Sequence, residues 1–170
     1  MFKGFPPDWK YAFAMATTFF SAKSRGDVTL RSTDPTQNPK VQHNYLSDPL
    51  DMLVFSEACR LANEIVINSI GTKDLVVGSW PAAQGHDKYT SREEWQDAIR
   101  ESADTCYHPA GPCKMGNDDM AVVDAELRVR GVRNLRVVDA SIMPFLPSGH
   151  PQMAVYGIAE KGADLIKSVE

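Results

Sequence analysis

The sequence predicts an α+β fold on three observations. An alternating polar–apolar stretch lies near the N-terminus, two helices with clear start signals follow, and short extended segments precede a last helix.

The elements follow in chain order. Met1 to Ala22 has no amphipathic pattern, yet it holds Phe5, Trp9, Tyr11, Phe13, Phe19 and Phe20. That is too much aromatic surface for a solvated tail, so the segment is expected to pack on this chain or on a partner. Asp27 to Ser32 alternates polar and apolar residues, as a half-buried strand does. Turn residues fill Thr33 to Pro39, and Lys40 to Tyr45 can return as a second short strand. Asp48-Pro49 then opens a helix, because Asp caps and Pro suits the first helical position. Leu50, Leu53, Val54, Ala58, Leu61, Ala62 and Ile65 form one apolar face on it, and Gly71 is expected to end it. That face is either core or an interface with a missing partner.

Ser91-Arg-Glu-Glu94 is a capping-box pattern that opens a second helix to about Glu101. Thr105 to Gly116 is irregular, with two Gly, two Pro, two Cys and a His. Val122 to Asp124, Leu127 to Val129 and Leu135 to Val138 read as three short strands. Pro144 to Pro151 is expected to be a loop, and Pro151 to open a final helix running to about Ser168.

Composition narrows the functional classes. The net charge is −4 with both signs interspersed, which leaves no clustered basic footprint for nucleic acid. No apolar run reaches the length of a membrane span, and the N-terminus does not read as a signal peptide. Cys59, Cys106 and Cys113 are odd in number, which argues against a full disulfide framework and favours a reducing, cytoplasmic setting. The cysteines are expected to be buried as small hydrophobes. Cys106-x-His108-x₄-Cys113 offers three metal-type ligands, but no local fourth ligand and no common zinc spacing, so no metal is expected.

Several segments, in order, carry a family resemblance. They are Arg25-Gly-Asp-Val-Thr-Leu-Arg-Ser-Thr-Asp-Pro35, Asn44-Tyr-Leu-Ser-Asp-Pro49 and His108-Pro-Ala-Gly-Pro-Cys-Lys-Met-Gly116. Val123-Asp124, Leu127-Arg-Val129, Gly131-Val132 and Leu135 to Pro144 follow, and then the long block from Gly149-His-Pro-Gln-Met153 to Ile166. The series resembles the C-terminal region of the glucose–methanol–choline (GMC) oxidoreductases, which use FAD to oxidise alcohols.

The resemblance implies an antiparallel sheet with helices, plus strands and a final helix that complete an FAD-binding domain. It assigns residues 1–23 and 24–114 to a substrate-binding domain and 115–170 to the FAD-binding domain. It further implies that His108 is the catalytic base and that His150 faces the same substrate hydroxyl. Asp139 and Ala140 match the segment that passes the cofactor's phosphate and ribityl region. His150, Pro151, Gln152 and Met153 match the start of the helix that points at the flavin ring.

The chemistry fits these residue types. Oxidising an alcohol removes a hydroxyl proton and a hydride, and a neutral imidazole suits the first task. A second imidazole can hold the hydroxyl and orient its C–H. A helix N-terminus offers free N–H groups to the negative charge that gathers on reduced flavin. His43 and His86 lie in no motif and are expected to be exposed. Asp139 can equally be a strand-end turn residue.

Two departures qualify the resemblance. No two of the 11 glycines are two positions apart, so the Gly-x-Gly-x-x-Gly loop that receives the cofactor's pyrophosphate is absent. FAD binding therefore calls for an N-terminal half, in cis or in trans, alongside a small alcohol substrate. Pro112 stands where the family usually has Thr, which removes a backbone donor near His108. The alternative reading is an inactive, truncated relative that serves as a structural or partner-binding subunit.

Overall fold

A computed structural model describes residues 11–80 and 84–168; Phe5 and Trp9 of the aromatic segment lie outside them. The chain divides into two compact units. One takes in the described residues up to Arg25 together with Asn44–Thr105, the other Gly26–His43 and the residues from Cys106 onward. No helix among the described residues is long and apolar enough to cross a membrane.

In the first unit, helix α1 spans Pro49–Asn68. Asp48 stays extended and its carboxylate accepts from the Leu50 N–H, so one of the otherwise orphaned donors of the first turn is satisfied. The helix ends because Ser69 returns to extended backbone; Gly71 lies beyond the stop rather than making it. Helix α2 spans Arg92–Ser102 and carries the full capping box, with the Glu94 N–H donating to Ser91 Oγ and the Ser91 N–H donating to the Glu94 carboxylate.

α1 and α2 pack on one another, and Met52 and Ile99 are the buried apolar side chains of this unit among the described residues. Leu50, Leu53, Val54, Leu61 and Ile65 are 41–51% exposed, so the apolar stripe of α1 is not core here. The position that is sealed is polar. Asp51 is 1% exposed and accepts from the Lys23 N–H, the Ser24 N–H and the Ser24 hydroxyl, tying the incoming chain to the first turn of α1. Phe19 stacks on Phe55 at 6.2 Å, while Tyr11 and Phe13 are exposed, so the aromatic segment packs only in part. His86 also departs from expectation. It is half-buried, with its ring 5.2 Å from those of Tyr89 and Trp95, and burial pushes its pKa down.

In the second unit, β1 (Asp27–Thr29) and β2 (Lys40–Gln42) pair antiparallel with Val28 opposite Val41. A side chain at Gly26 would run into the Gln42 carbonyl, which explains the glycine where the hairpin closes. The three strands expected between Val122 and Val138 do not form. Single bridges take their place, joining Met115 to Val123, Val123 to Val129 and Arg128 to Arg136. The cause is local: Leu127, Gly131 and Asn134 all adopt positive φ, and each breaks the extended run before a ladder can lengthen.

These bridges still close a core. Val123, Leu127 and Ile142 are at most 4% exposed, with Met115, Val129, Val137, Val138, Ile158 and Leu165 packed around them. The last two belong to helix α3, Gln152–Lys167. Gly162 lets α3 approach closely, since a Cβ there would collide with the Val138 side chain. The architecture is thus α+β, with one small antiparallel sheet and three α-helices among the described residues.

Candidate active site

His108 and His150 lie 42 residues apart, and the backbone between them explains how they meet. The strip just after His108 is sewn to the strip before His150. The N–H groups of Gly111, Cys113 and Met115 donate to the carbonyls of Ala140, Ser141 and Ile142 at 3.4, 3.0 and 2.8 Å. Gly111 has φ +94°, and a Cβ on it would press on the Met143 carbonyl at 3.2 Å, so glycine is what the close approach needs. Ile142 then anchors the second strip in the core, and α3 is fixed on the same core through Ile158 and Leu165.

The two imidazoles face one another across this seam. His108 Nε2 lies 2.5 Å from His150 Nδ1, with the rings edge to face and centroids 4.8 Å apart. A hydrogen bond between two ring nitrogens requires one to donate and the other to accept, so the pair holds one proton between them. His108 is half-buried and His150 exposed.

The residue before His108 is unusual. Tyr107 has φ +60°, the left-handed region that a bulky side chain seldom enters. The chain bends at this residue, between Cys106 and His108. Cys106 is exposed rather than buried, and its sulfur lies in one group with the ring nitrogens of His108 and His150, all within 4.8 Å of one another. The Cys106-x-His108-x₄-Cys113 spacing pointed to no metal site; the fold groups Cys106 and His108 with His150, and Cys113 is not in that group. Cys113 and Cys59 are half-buried, and all three cysteines are free thiols.

The other predicted residues sit around this pair. Asp139 is exposed, and its carboxylate caps a short 3₁₀ turn, Ala140–Ile142, by accepting from the Ser141 N–H at 2.8 Å. That is turn work, and the Ala140 carbonyl carries one rung of the seam. Pro151 is buried at the mouth of α3, where no side chain caps the first turn. Gln152 Nε2 donates to the Tyr156 hydroxyl at 3.2 Å, and Met153 is 77% exposed. Pro112 occupies the second position of a turn closed by the Lys114 N–H on the Gly111 carbonyl at 3.1 Å. Its fixed φ suits that position, so the substitution fits the local backbone.

Sequence reasoning missed two features. Cys106 stands two residues from His108, a visible cue, but its geometry depends on the Tyr107 kink. Asp51 looked like one more acidic residue near a helix start, and no local pattern marks it for burial.

With this geometry in view, comparison with known proteins is decisive about ancestry. Residues 22–159 match the C-terminal profile of the GMC oxidoreductases. An oxygen-dependent choline dehydrogenase of Sinorhizobium medicae is 41% identical over 158 residues, covering 92% of this chain and 28% of that protein. Patulin synthase of Penicillium expansum is 38% identical over 160 residues, covering 92% of this chain and 25% of that protein. Among solved structures, formate oxidase of Aspergillus oryzae superposes with a TM-score of 0.77 at 36% identity, over 85% of this chain and 25% of its own. Pyridoxine 4-oxidase of Mesorbium loti gives 0.71 at 33% identity, over 85% and 28%. The chain thus spans roughly a quarter of the length of the relatives it matches. On these matches, and on a fold that carries the same series of segments, the chain belongs to the GMC oxidoreductases, whose C-terminal region it represents.

Proposed function

We propose that this chain is the C-terminal portion of an FAD-dependent enzyme that oxidises the CH–OH group of a small alcohol, with His108 as base and His150 as its orienting partner. The observation that carries the reading is the direct approach of His108 Nε2 and His150 Nδ1. A donor–acceptor pair of nitrogens is arranged to take in a hydroxyl. If His150 Nδ1 carries the proton, it donates to the alcohol oxygen while His108 Nε2 accepts the hydroxyl hydrogen. The existing hydrogen bond uses the same tautomers, so substrate enters by parting the rings without moving a proton first.

The donor set around α3 fits a flavin. Its first turn has no side-chain cap, Met153 and Ala154 are exposed, and the N–H groups there point along the positive end of the helix dipole. Bound flavin would supply the acceptor for the hydride. Pro151 to Met153 would hold the ring's electron-rich edge by backbone N–H groups, and the Asp139–Ala140 turn would flank the ribityl and phosphate region. Residues 24–114 would serve the substrate domain and 115–170 the FAD domain. An N-terminal half would cover the exposed apolar side chains of α1 and those of Met153, Tyr156 and Ile166 on α3. The relatives' names, choline dehydrogenase and pyridoxine 4-oxidase, support an alcohol substrate.

The test joins this chain to the N-terminal FAD-binding part of a GMC relative. A yellow complex that alcohol bleaches under anaerobic conditions is expected, with His108→Ala keeping the colour and losing the bleaching. A complex that never retains flavin overturns the reading and leaves the structural-subunit alternative.

A further inference from the structure

We propose that Cys106, His108 and His150 form a three-ligand site for a borderline-soft divalent cation, with zinc the best fit. One thiol and two imidazoles are the donor types that zinc prefers, and three protein ligands with a fourth position left to water is a common zinc arrangement. The three ligand atoms already lie within 4.8 Å of one another. His108 Nε2 and His150 Nδ1 lie 2.5 Å apart with their rings edge to face. Tetrahedral zinc would hold two nitrogens about 3.3 Å apart and a nitrogen and sulfur slightly farther, so the two nitrogens part by less than about 1 Å and the sulfur closes in from no more than 4.8 Å. The rings part a little and the thiol swings in. The surroundings allow this, because Cys106 and His150 are exposed and all three residues lie in irregular segments outside the helices and strands. Tyr107, between Cys106 and His108, holds a positive φ where the chain bends.

The proton balance is simple. The Cys106 thiol releases its proton to solvent on forming the zinc–sulfur bond. His108 keeps its N–H on Nδ1, while the His150 proton moves through solvent from Nδ1 to Nε2 so that Nδ1 is free to bind the ion. One proton leaves per ion bound, and no oxidant or reductant is needed.

The consequence for activity rests on the proposed role of the His pair; the binding itself does not. Zinc at this site would occupy both nitrogens that the substrate hydroxyl needs. It would therefore inhibit alcohol oxidation in competition with the alcohol, and a chelator would reverse the inhibition.

Zinc titration of the purified chain against a chromophoric chelator, paired with cobalt(II) absorption spectra, tests the site. One ion per chain is expected, with a thiolate-to-cobalt charge-transfer band. Cys106→Ala and His150→Ala should each weaken zinc binding by about a hundredfold, and Cys106→Ala should abolish the band. Cys113→Ala should change neither. Absent stoichiometric binding, or a cobalt band that survives Cys106→Ala and disappears with Cys113→Ala, overturns the site. In the flavin-bearing complex, stoichiometric zinc with the expected cobalt band but undiminished alcohol oxidation upholds the site and counts against the proton-handling role of the pair.

Discussion

The two units differ in what they bury most completely. The second closes around Val123, Leu127 and Ile142, with apolar neighbours on every side. The first seals Asp51 and Ser56 at 1% and 0% exposure, while five large apolar residues of α1 stay half in water. One unit is held by a closed apolar core; the other pairs a polar anchor with two buried apolar side chains, Met52 and Ile99, and leaves the apolar stripe of α1 open. The second unit carries the His pair, and its closed core and backbone seam hold together a site split across 42 residues. The first presents surface, as a region built to be covered does.

Substitutions can break this contrast, beginning with the core. Ile142→Ala should destabilise the second unit by about 3 kcal/mol, because it opens a cavity in a closed core. Amide exchange should show protection lost there. The three tryptophans, Trp9, Trp80 and Trp95, all lie outside residues 26–43 and 106–170, so tryptophan fluorescence should report the first unit separately. A fluorescence transition that moves as far as the exchange would erase the contrast.

The polar anchor comes next. Asp51→Ala should cost the first unit about 2 kcal/mol, since two backbone N–H groups and a hydroxyl lose a charged acceptor. Burial alone would raise the Asp51 pKa. The hydrogen bonds from the Lys23 N–H and from the Ser24 hydroxyl and N–H, with the charge of Arg25, outweigh burial and hold it below its ordinary value. A carboxyl depressed on folding contributes its full stability above its unfolded pKa, about 4, and loses it as pH falls through the lower folded value. Acid unfolding of the first unit should therefore lose this component in Asp51→Ala. An unchanged acid limb would show that the anchor is not what holds the unit.

Smaller effects sharpen the comparison. Ser91→Ala removes half of the α2 capping box and should cost about 1 kcal/mol, read as a lowered urea midpoint by fluorescence. Leu61→Gln on the open stripe should change the stability of the chain by less than about 0.5 kcal/mol. The same substitution should weaken association with an N-terminal half, measured by titration calorimetry. A large stability loss from Leu61→Gln would mean the stripe is core after all.

Legibility followed the range of the interaction. Asp48 and the Ser91–Glu94 box were readable because a cap is settled within four residues. The hairpin was readable from short extended segments around a turn-rich loop, but the half-burial that alternation implies does not occur, since every residue of both strands is exposed. The three strands before residue 138 were not readable, because bends at Leu127, Gly131 and Asn134 decide whether a ladder forms. His86 was misjudged for a similar reason: its neighbours Tyr89 and Trp95 come from the following turn and α2, and no motif names such a cluster.

The opposed imidazoles mark the same boundary. The sequence by itself determined that two histidines sit in family segments, that Pro151 opens a helix, and that the glycine loop for a pyrophosphate is missing. The first rests on the family resemblance, and local pattern suffices for the other two. Only the tertiary structure decided that His108 and His150 touch, that Cys106 rather than Cys113 joins them, and that Asp51 is buried. Each of these depends on backbone groups far apart in sequence pairing across the seam or around the anchor, and such pairing leaves no periodic trace in the order of residues.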